Sequence, residues 1–138
     1  MTEERRLVTV LFADVTGSTA MGEELDPEDL RALLARYFAI AREVVANHDG
    51  TLEKFIGDAV MAVFGLPVAH GDDASRAVSA ASALTDRVRN DPALGDRLPI
   101  RVGLNTGEVV AAREASAGGE FLITGDAVNV AARLVQGA

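Results

Sequence analysis

The chain has 138 residues and no cysteine, enough for one hydrophobic core, which excludes a disulfide framework, a thiolate metal site and a cysteine nucleophile. Apolar residues make up 49% and charged ones 25%, the balance of a globular protein, so residues 1–138 are read as a single domain. A net charge of −8 argues against nonspecific binding to nucleic acid or an anionic membrane, although divalent cations let an acidic protein take polyphosphates.

Residues 1–6 are charged and lack the apolar run of a secretory signal, and no window approaches the ~18 uninterrupted apolar residues of a membrane span. A cytoplasmic chain without membrane insertion is expected. Residues 7–13 (LVTVLFA) form a nearly continuous apolar run, the pattern of a central strand buried on both faces. The run ends on Asp14. Thr16, Gly17, Ser18 and Thr19 follow in a polar loop whose backbone N–H groups suit phosphate, and a short helical turn is expected over residues 20–25. Asp26-Pro27-Glu28-Asp29 then marks a helix start, with a capping acid and proline at the first helical position. Leu30, Leu33, Leu34, Tyr37, Phe38, Ala41, Val44 and Val45 recur at helical spacing, an apolar face with Tyr37 and Phe38 in the core. The helix is expected to stop near residues 47–50, with Gly50 as a left-handed cap. His48 and His70 stand alone near helix ends and are read as solvated rather than as ligands.

Residues 51–64 (TLEKFIGDAVMAVF) place two β-prone runs around Gly57-Asp58, the tight turn of a hairpin, with Asp58 at its tip and Lys54 four residues earlier. Asp72 or Asp73 caps a second long helix over about residues 74–89, with Ala77, Val78, Ala81, Leu84 and Val88 as its apolar stripe. After a loop to Pro99, residues 100–104 alternate as a strand that continues to Ala111. Residues 113–120 read as a mobile Ala/Gly/Ser connection, 121–123 as a short strand, and Gly125-Asp126 as the start of a last helix. The order β-α-α-β-β-α-β-β-α, with a hairpin mid-chain, predicts an α+β fold. Its mixed or antiparallel sheet carries helices on one face; a doubly wound parallel sheet would not contain the hairpin.

Two acids end β elements, Asp14 and Asp58. In a sheet with the first strand beside the hairpin both reach one edge, a minimal protein contribution to a Mg²⁺ site completed by water and substrate phosphates. Asn129 and Arg133, four residues apart, share a face of the last helix, and an arginine there suits the charge that develops in phosphoryl transfer. By spacing alone, the readings of Asp14 as a loop former, Asp58 as turn chemistry and Asn129 with Arg133 as a solvated helix face outweigh a metal–nucleotide site.

The sequence resembles the catalytic domain of class III nucleotidyl cyclases, the adenylate and guanylate cyclases. The resemblance rests on LFADVTGST at 11–19, EKFIGDAVMAVF at 53–64, RVGLNTG at 101–107 and TGDAVNVAARL at 124–134, four blocks in the family's order. It implies a ferredoxin-like core and a head-to-tail homodimer that converts ATP to cyclic AMP and pyrophosphate, with two Mg²⁺ or Mn²⁺ ions per active site. Asp14 and Asp58 match the metal-binding aspartates, and Lys54 the lysine that reads adenine. Asn129 and Arg133 match the pair that orients the ribose and stabilises the transition state. Arg101 matches a strand arginine that approaches the phosphates in some members. The loop Thr16, Gly17, Ser18 and Thr19, together with Gly57, lies where the substrate would bind. The two metal aspartates would come from one subunit, and Lys54, Asn129 and Arg133 from the other.

The sequence departs from the family pattern at three places. Leu122 stands where the lysine's base-reading partner is usually aspartate or threonine, and leucine offers no hydrogen bond. Ser18 replaces a frequent phenylalanine. The family's further C-terminal strands have no counterpart before Ala138, so a C-terminally truncated domain of a longer parent chain is expected. The alternative reading is a cyclase-like regulatory or dimerisation module with little or no catalysis, and a receiver-type phosphoacceptor domain is a third.

Overall fold

The computed structural model describes residues 3–15, 26–56, 59–66, 71–95, 98–113 and 121–124. They form β1 (Glu3–Val15), α1 (Pro27–Asn47), β2 (Thr51–Ile56), β3 (Ala59–Phe64), α2 (Asp73–Asn90), β4 (Ile100–Arg113) and β5 (Phe121–Thr124). The expected helical turn at 20–25, the connection at 114–120 and the last helix from Gly125 lie outside the described residues, as does His70.

The strands make one five-stranded sheet in the order β2-β3-β1-β4-β5. Every neighbouring pair is antiparallel, which excludes the parallel sheet of a receiver domain. β1 is central, as its unbroken apolar run requires, because both of its faces are buried. Leu11, Ala13 and Val15 meet Val60, Ala62 and Phe64 of β3 in one core with both helices. Val8, Val10 and Phe12 alternate onto the opposite face beside Met61 and Val63, and these too are buried. Thr9 is a buried polar residue on the helix side of β1. It is satisfied by its cross-strand partner Thr106, hydroxyl to hydroxyl at 2.7 Å.

α1 starts at Pro27 after Asp26, as expected, although the Asp26 carboxylate makes no capping hydrogen bond. Leu33, Tyr37, Ile40, Ala41, Val44 and Val45 are buried, and Phe38 packs against Phe55 with ring centroids 4.4 Å apart. The helix end corrects the expected cap. Asp49, not Gly50, takes the left-handed conformation, at φ 60°. Gly50 is needed for space instead, because a Cβ there would lie 2.5 Å from Cε2 of the buried Phe64 ring. Asp49 pairs with Arg76 of α2, and the His48 ring donates from Nδ1 to the Val44 carbonyl at 2.8 Å.

α2 follows Asp72, whose carboxylate accepts from Arg76 Nε at 2.7 Å rather than capping the helix. Its buried stripe is Ala77, Ala80, Leu84 and Val88. Val78, expected in the stripe, is 59% exposed because it falls one position outside that face. After α2, Asp91 is the buried centre of a clip. Arg36 of α1 donates through Nε to both carboxylate oxygens, at 2.9 and 2.8 Å, and Nη2 lies 2.6 Å from Oδ2. The backbone N–H groups of Ala93 and Leu94 donate to Oδ1 at 2.8 and 3.1 Å. This bonding, led by Arg36, lowers the Asp91 carboxyl from its ordinary 3.8 to about 2. The clip fixes the turn that leads into β4. None of the described helices is long and apolar enough to cross a membrane.

Candidate active site

Asp14 is the last residue but one of β1, and its position follows from the alternation of that strand. Val8, Val10 and Phe12 face away from the helices, and Asp14 continues the series on the same face. Ala13 pairs with Val60, so the antiparallel register brings Asp14 level with Ala59, the first residue after the two-residue hairpin connection. Neighbouring strands run about 5 Å apart, so Asp14 stands beside the hairpin tip. Asp58 and Gly57 form that connection and lie outside the described residues, as do Thr16, Gly17, Ser18, Thr19, Asn129 and Arg133.

On the other side of β1, Asp14 is the direct register partner of Arg101 on β4. Arg101 Nε donates to Asp14 Oδ1 at 2.9 Å. The Asp14 side chain is 17% exposed and that of Arg101 30% exposed, so the pair is shielded but reachable from solvent. Asp14 Oδ2 accepts no hydrogen bond from any described residue. This pairing is what the spacing did not reveal: the two residues are 87 positions apart, and only the β1–β4 register joins them.

Lys54 is the register partner of Met61, which in turn pairs with Phe12, so its backbone lies in the sheet row two residues short of Asp14 on β1. Leu122 pairs with Ala112, which pairs with Glu3, at the opposite end of β1. Within the sheet, therefore, Asp14, Arg101 and the Lys54 row gather toward the hairpin end, and Leu122 does not join them.

A carboxylate oxygen left open beside a strand end is the hard donor that Mg²⁺ or Mn²⁺ takes. Among the described residues no group of three or more His, Cys, Asp or Glu could hold a metal ion, so a cation at Asp14 would need further ligands from outside them. The donor chemistry fits a divalent cation shared with substrate phosphates rather than a closed structural site.

A family model described as the adenylate and guanylate cyclase catalytic domain matches residues 1–138. The chain belongs to that family. It is 38% identical over 136 residues to adenylate cyclase 1 of Rhizobium meliloti, an alignment covering 94% of this chain and 20% of that protein. Among solved structures, the adenylyl cyclase CyaB of P. aeruginosa superposes with a TM-score of 0.88 at 33% identity, covering 99% of this chain and 74% of that one. The guanylyl cyclase Cya2 does so with a TM-score of 0.88 at 33% identity, covering 99% and 72%. The α+β antiparallel core of the cyclase domain is thus that of both adenylyl and guanylyl cyclases, and the chain spans about a fifth of the length of the Rhizobium relative.

Proposed function

We propose that the domain is an adenylate cyclase that converts ATP to 3′,5′-cyclic AMP and pyrophosphate at a homodimer interface within a longer cytoplasmic signalling protein. The observation that carries this reading is the Asp14 carboxylate, held on a sheet face level with the hairpin tip and with one oxygen open. The 38% identity to an adenylate cyclase favours ATP over GTP.

In this reading Asp14 and Asp58 of one subunit would hold two Mg²⁺ or Mn²⁺ ions, which when bound would lower the pKa of the ribose 3′-hydroxyl and neutralise charge on the leaving pyrophosphate. Asp14 orients its ligating oxygen by giving the other to Arg101. The backbone of Thr16, Gly17, Ser18, Thr19 and Gly57 cradles the triphosphate, and Arg101 lies within reach of it. From the second subunit, Lys54 reads the base, Asn129 orients the ribose, and Arg133 stabilises the charge on the α-phosphate as the in-line attack proceeds.

The test is cyclic-nucleotide formation from ATP and from GTP, with Mg²⁺ and with Mn²⁺, across a range of protein concentrations. Cyclic AMP is the expected product, with specific activity rising with protein concentration and falling by about 100-fold or more in Asp14→Asn. An Asp14→Asn protein as active as wild type would sink the assignment. The second reading, a cyclase-like regulatory or dimerisation module, is favoured by Leu122, which offers the base no hydrogen bond. It predicts no cyclic nucleotide from either substrate.

A further inference from the structure

The sheet face beneath the helices is not covered along its whole length. β1 and β4 pair from Glu3–Ala112 to Val15–Ile100, whereas β3 joins β1 only from Thr9 onward. The first half of β1 and the second half of β4 therefore run on as a two-stranded ribbon. Leu7 is two residues before Thr9 and so lies on the helix side. Leu11, Ala13 and Val15 on that side are buried, but Leu7 is 69% exposed. Its cross-strand partner Glu108 is open too, as is Arg5, the next residue along that face. Their side chains are 62% and 80% exposed, with Arg5 Nη1 3.6 Å from Glu108 Oε1.

Beside Leu7 the surface is hollow. A cavity of about 260 Å³ opens between the ribbon and the start of α2, lined by Leu7, Thr9 and Thr106 on the sheet and by Gly71, Asp73 and Ala74. Val78 follows Ala74 by one helical turn, and Leu7 and Val78 are the large apolar side chains exposed among the described residues. Scattered singly they would mean nothing; at one cavity they make a patch. Ala74, Ser75, Val78 and Ser79 are exposed without a charge among them, in a chain that is 25% charged.

The patch is matched to itself. It carries an apolar knob beside a hole, and a positive charge beside a negative one. Around a two-fold axis one surface meets itself, so a surface that offers both members of each pair is self-complementary. The hole has room for a leucine side chain, since a cavity of about 150 Å³ already takes a benzene-sized group. Arg5 of each copy would meet Glu108 of the other, which joins two exposed pairs of little individual worth into a ring of alternating charge. A purely acidic or purely basic partner would satisfy one of these charges and oppose the other. The contact is small. A stable interface buries about 800 Å² per partner through roughly 20–30 residues a side, well beyond this patch, so free copies pair weakly.

We propose that the open end of the β1–β4 ribbon is a weak self-association surface, on which a second copy of this chain docks about a two-fold axis with Leu7 of each copy seated in the cavity of the other. It lies on the face of β1 turned from Asp14 and at the other end of the strand, so it joins copies without covering the candidate site. Neither the knob nor the charges belong to that site, and the contact stands apart from the cyclase reading. Copies held close by a shared chain or by another contact would pair through it far more fully than free ones.

The chain has no cysteine, so a single introduced one can form a disulfide only between copies. Leu7→Cys keeps a small apolar side chain at the knob and is compared under mild oxidant with Ala46→Cys, an exposed position near the end of α1. Leu7→Cys is expected to crosslink about tenfold faster, and to lose that lead when Val78→Glu is added. Equal rates overturn the proposal. Sedimentation velocity over a range of concentrations supplies the second measurement. Arg5→Glu and Glu108→Arg each place like charges on both copies and should associate less than wild type, while the two variants mixed should associate again, because each supplies the charge the other lacks. Both positions are exposed, so the variants are expected to fold. A mixture that sediments as the sum of its separate parts overturns the proposal, as does a wild type that associates no more than either variant.

Discussion

Gly50 offers the sharpest test of how the core constrains the chain around the site. A methyl group at this position would lie 2.5, 2.8 and 2.9 Å from Cε2, Cζ and Cδ2 of Phe64. Carbon atoms pack at about 3.5–4.0 Å, so Gly50→Ala creates an overlap of about 1 Å. The ring cannot withdraw, because Phe64 is fully buried in the cluster that joins both helices to the sheet. Overpacking of this kind costs about 1–3 kcal/mol. Against it stands a gain of about 0.4–1 kcal/mol from a stiffer unfolded chain, available because Gly50 does not occupy positive φ.

From the middle of each range the clash wins by about 1.3 kcal/mol, and at most by about 2.6 kcal/mol. For 138 residues the unfolding entropy is about 0.3 kcal/mol/K, so Tm should fall by about 4 °C, read by circular dichroism and by the urea midpoint. The cause is checked by a double-mutant cycle with Phe64→Leu, which removes the ring edge that the added methyl group would strike. In that background Gly50→Ala should become neutral or stabilising, a coupling of about 1 kcal/mol or more. An equal loss in both backgrounds would place the cost in the backbone and refute the steric argument, as would a stabilised Gly50→Ala protein.

Asp91 predicts an acid dependence. Its carboxyl is lowered in the folded chain to about 2 from 3.8, chiefly by the hydrogen bond from Arg36, so the stability it contributes is complete above the unfolded value and lost as pH falls toward 2. The urea midpoint of wild type should exceed that of Asp91→Asn by a constant margin above about pH 5, and the margin should close between about pH 4 and 2; a margin that persists at pH 2 contradicts the assignment. Leu122→Thr puts a hydrogen-bonding group where the family resemblance places the base partner of Lys54, yet Leu122 pairs at the far end of β1 from the Lys54 row. Initial rates for ATP and GTP should therefore stay within about twofold of wild type, and a rise of about tenfold for ATP would return Leu122 to the base.

The elements that could be read from the chain were those whose causes are local. Pro27 after Asp26, the period of Leu33, Tyr37, Ala41 and Val44, and the two apolar runs separated by Gly57-Asp58 mark their own boundaries, and the structure keeps them within a residue or two. What could not be read depends on contacts between distant residues. Gly50 looks like a helix cap in sequence because the Phe64 ring that claims its space is fourteen residues away, on β3. Val78 looks like part of an apolar stripe because spacing cannot say which of two overlapping faces turns inward. The Arg36–Asp91 clip was legible only as a loop, since its partners are 55 residues apart.

The candidate site divides the same way. Asp14 stood out in sequence as the polar end of an apolar strand, and that is also the physical reason it can serve a site. Along the face of β1 turned from the helices, Val8, Val10 and Phe12 are buried, and the next position, at the end of the strand, is a carboxylate. The apolar run fixes the strand at the centre and so fixes where the charge emerges. What that charge meets is decided by register: β3 brings the hairpin tip to one side of it and β4 brings Arg101 to the other. A slip of one residue in the β1–β4 ladder would turn Arg101 to the helix side, into the core against Val15 and Ala13, at a cost the fold could not bear. The same apolar alternation that stabilises the sheet therefore holds the arginine on the aspartate, and the charge balance of the site is enforced by the core rather than by the pair itself.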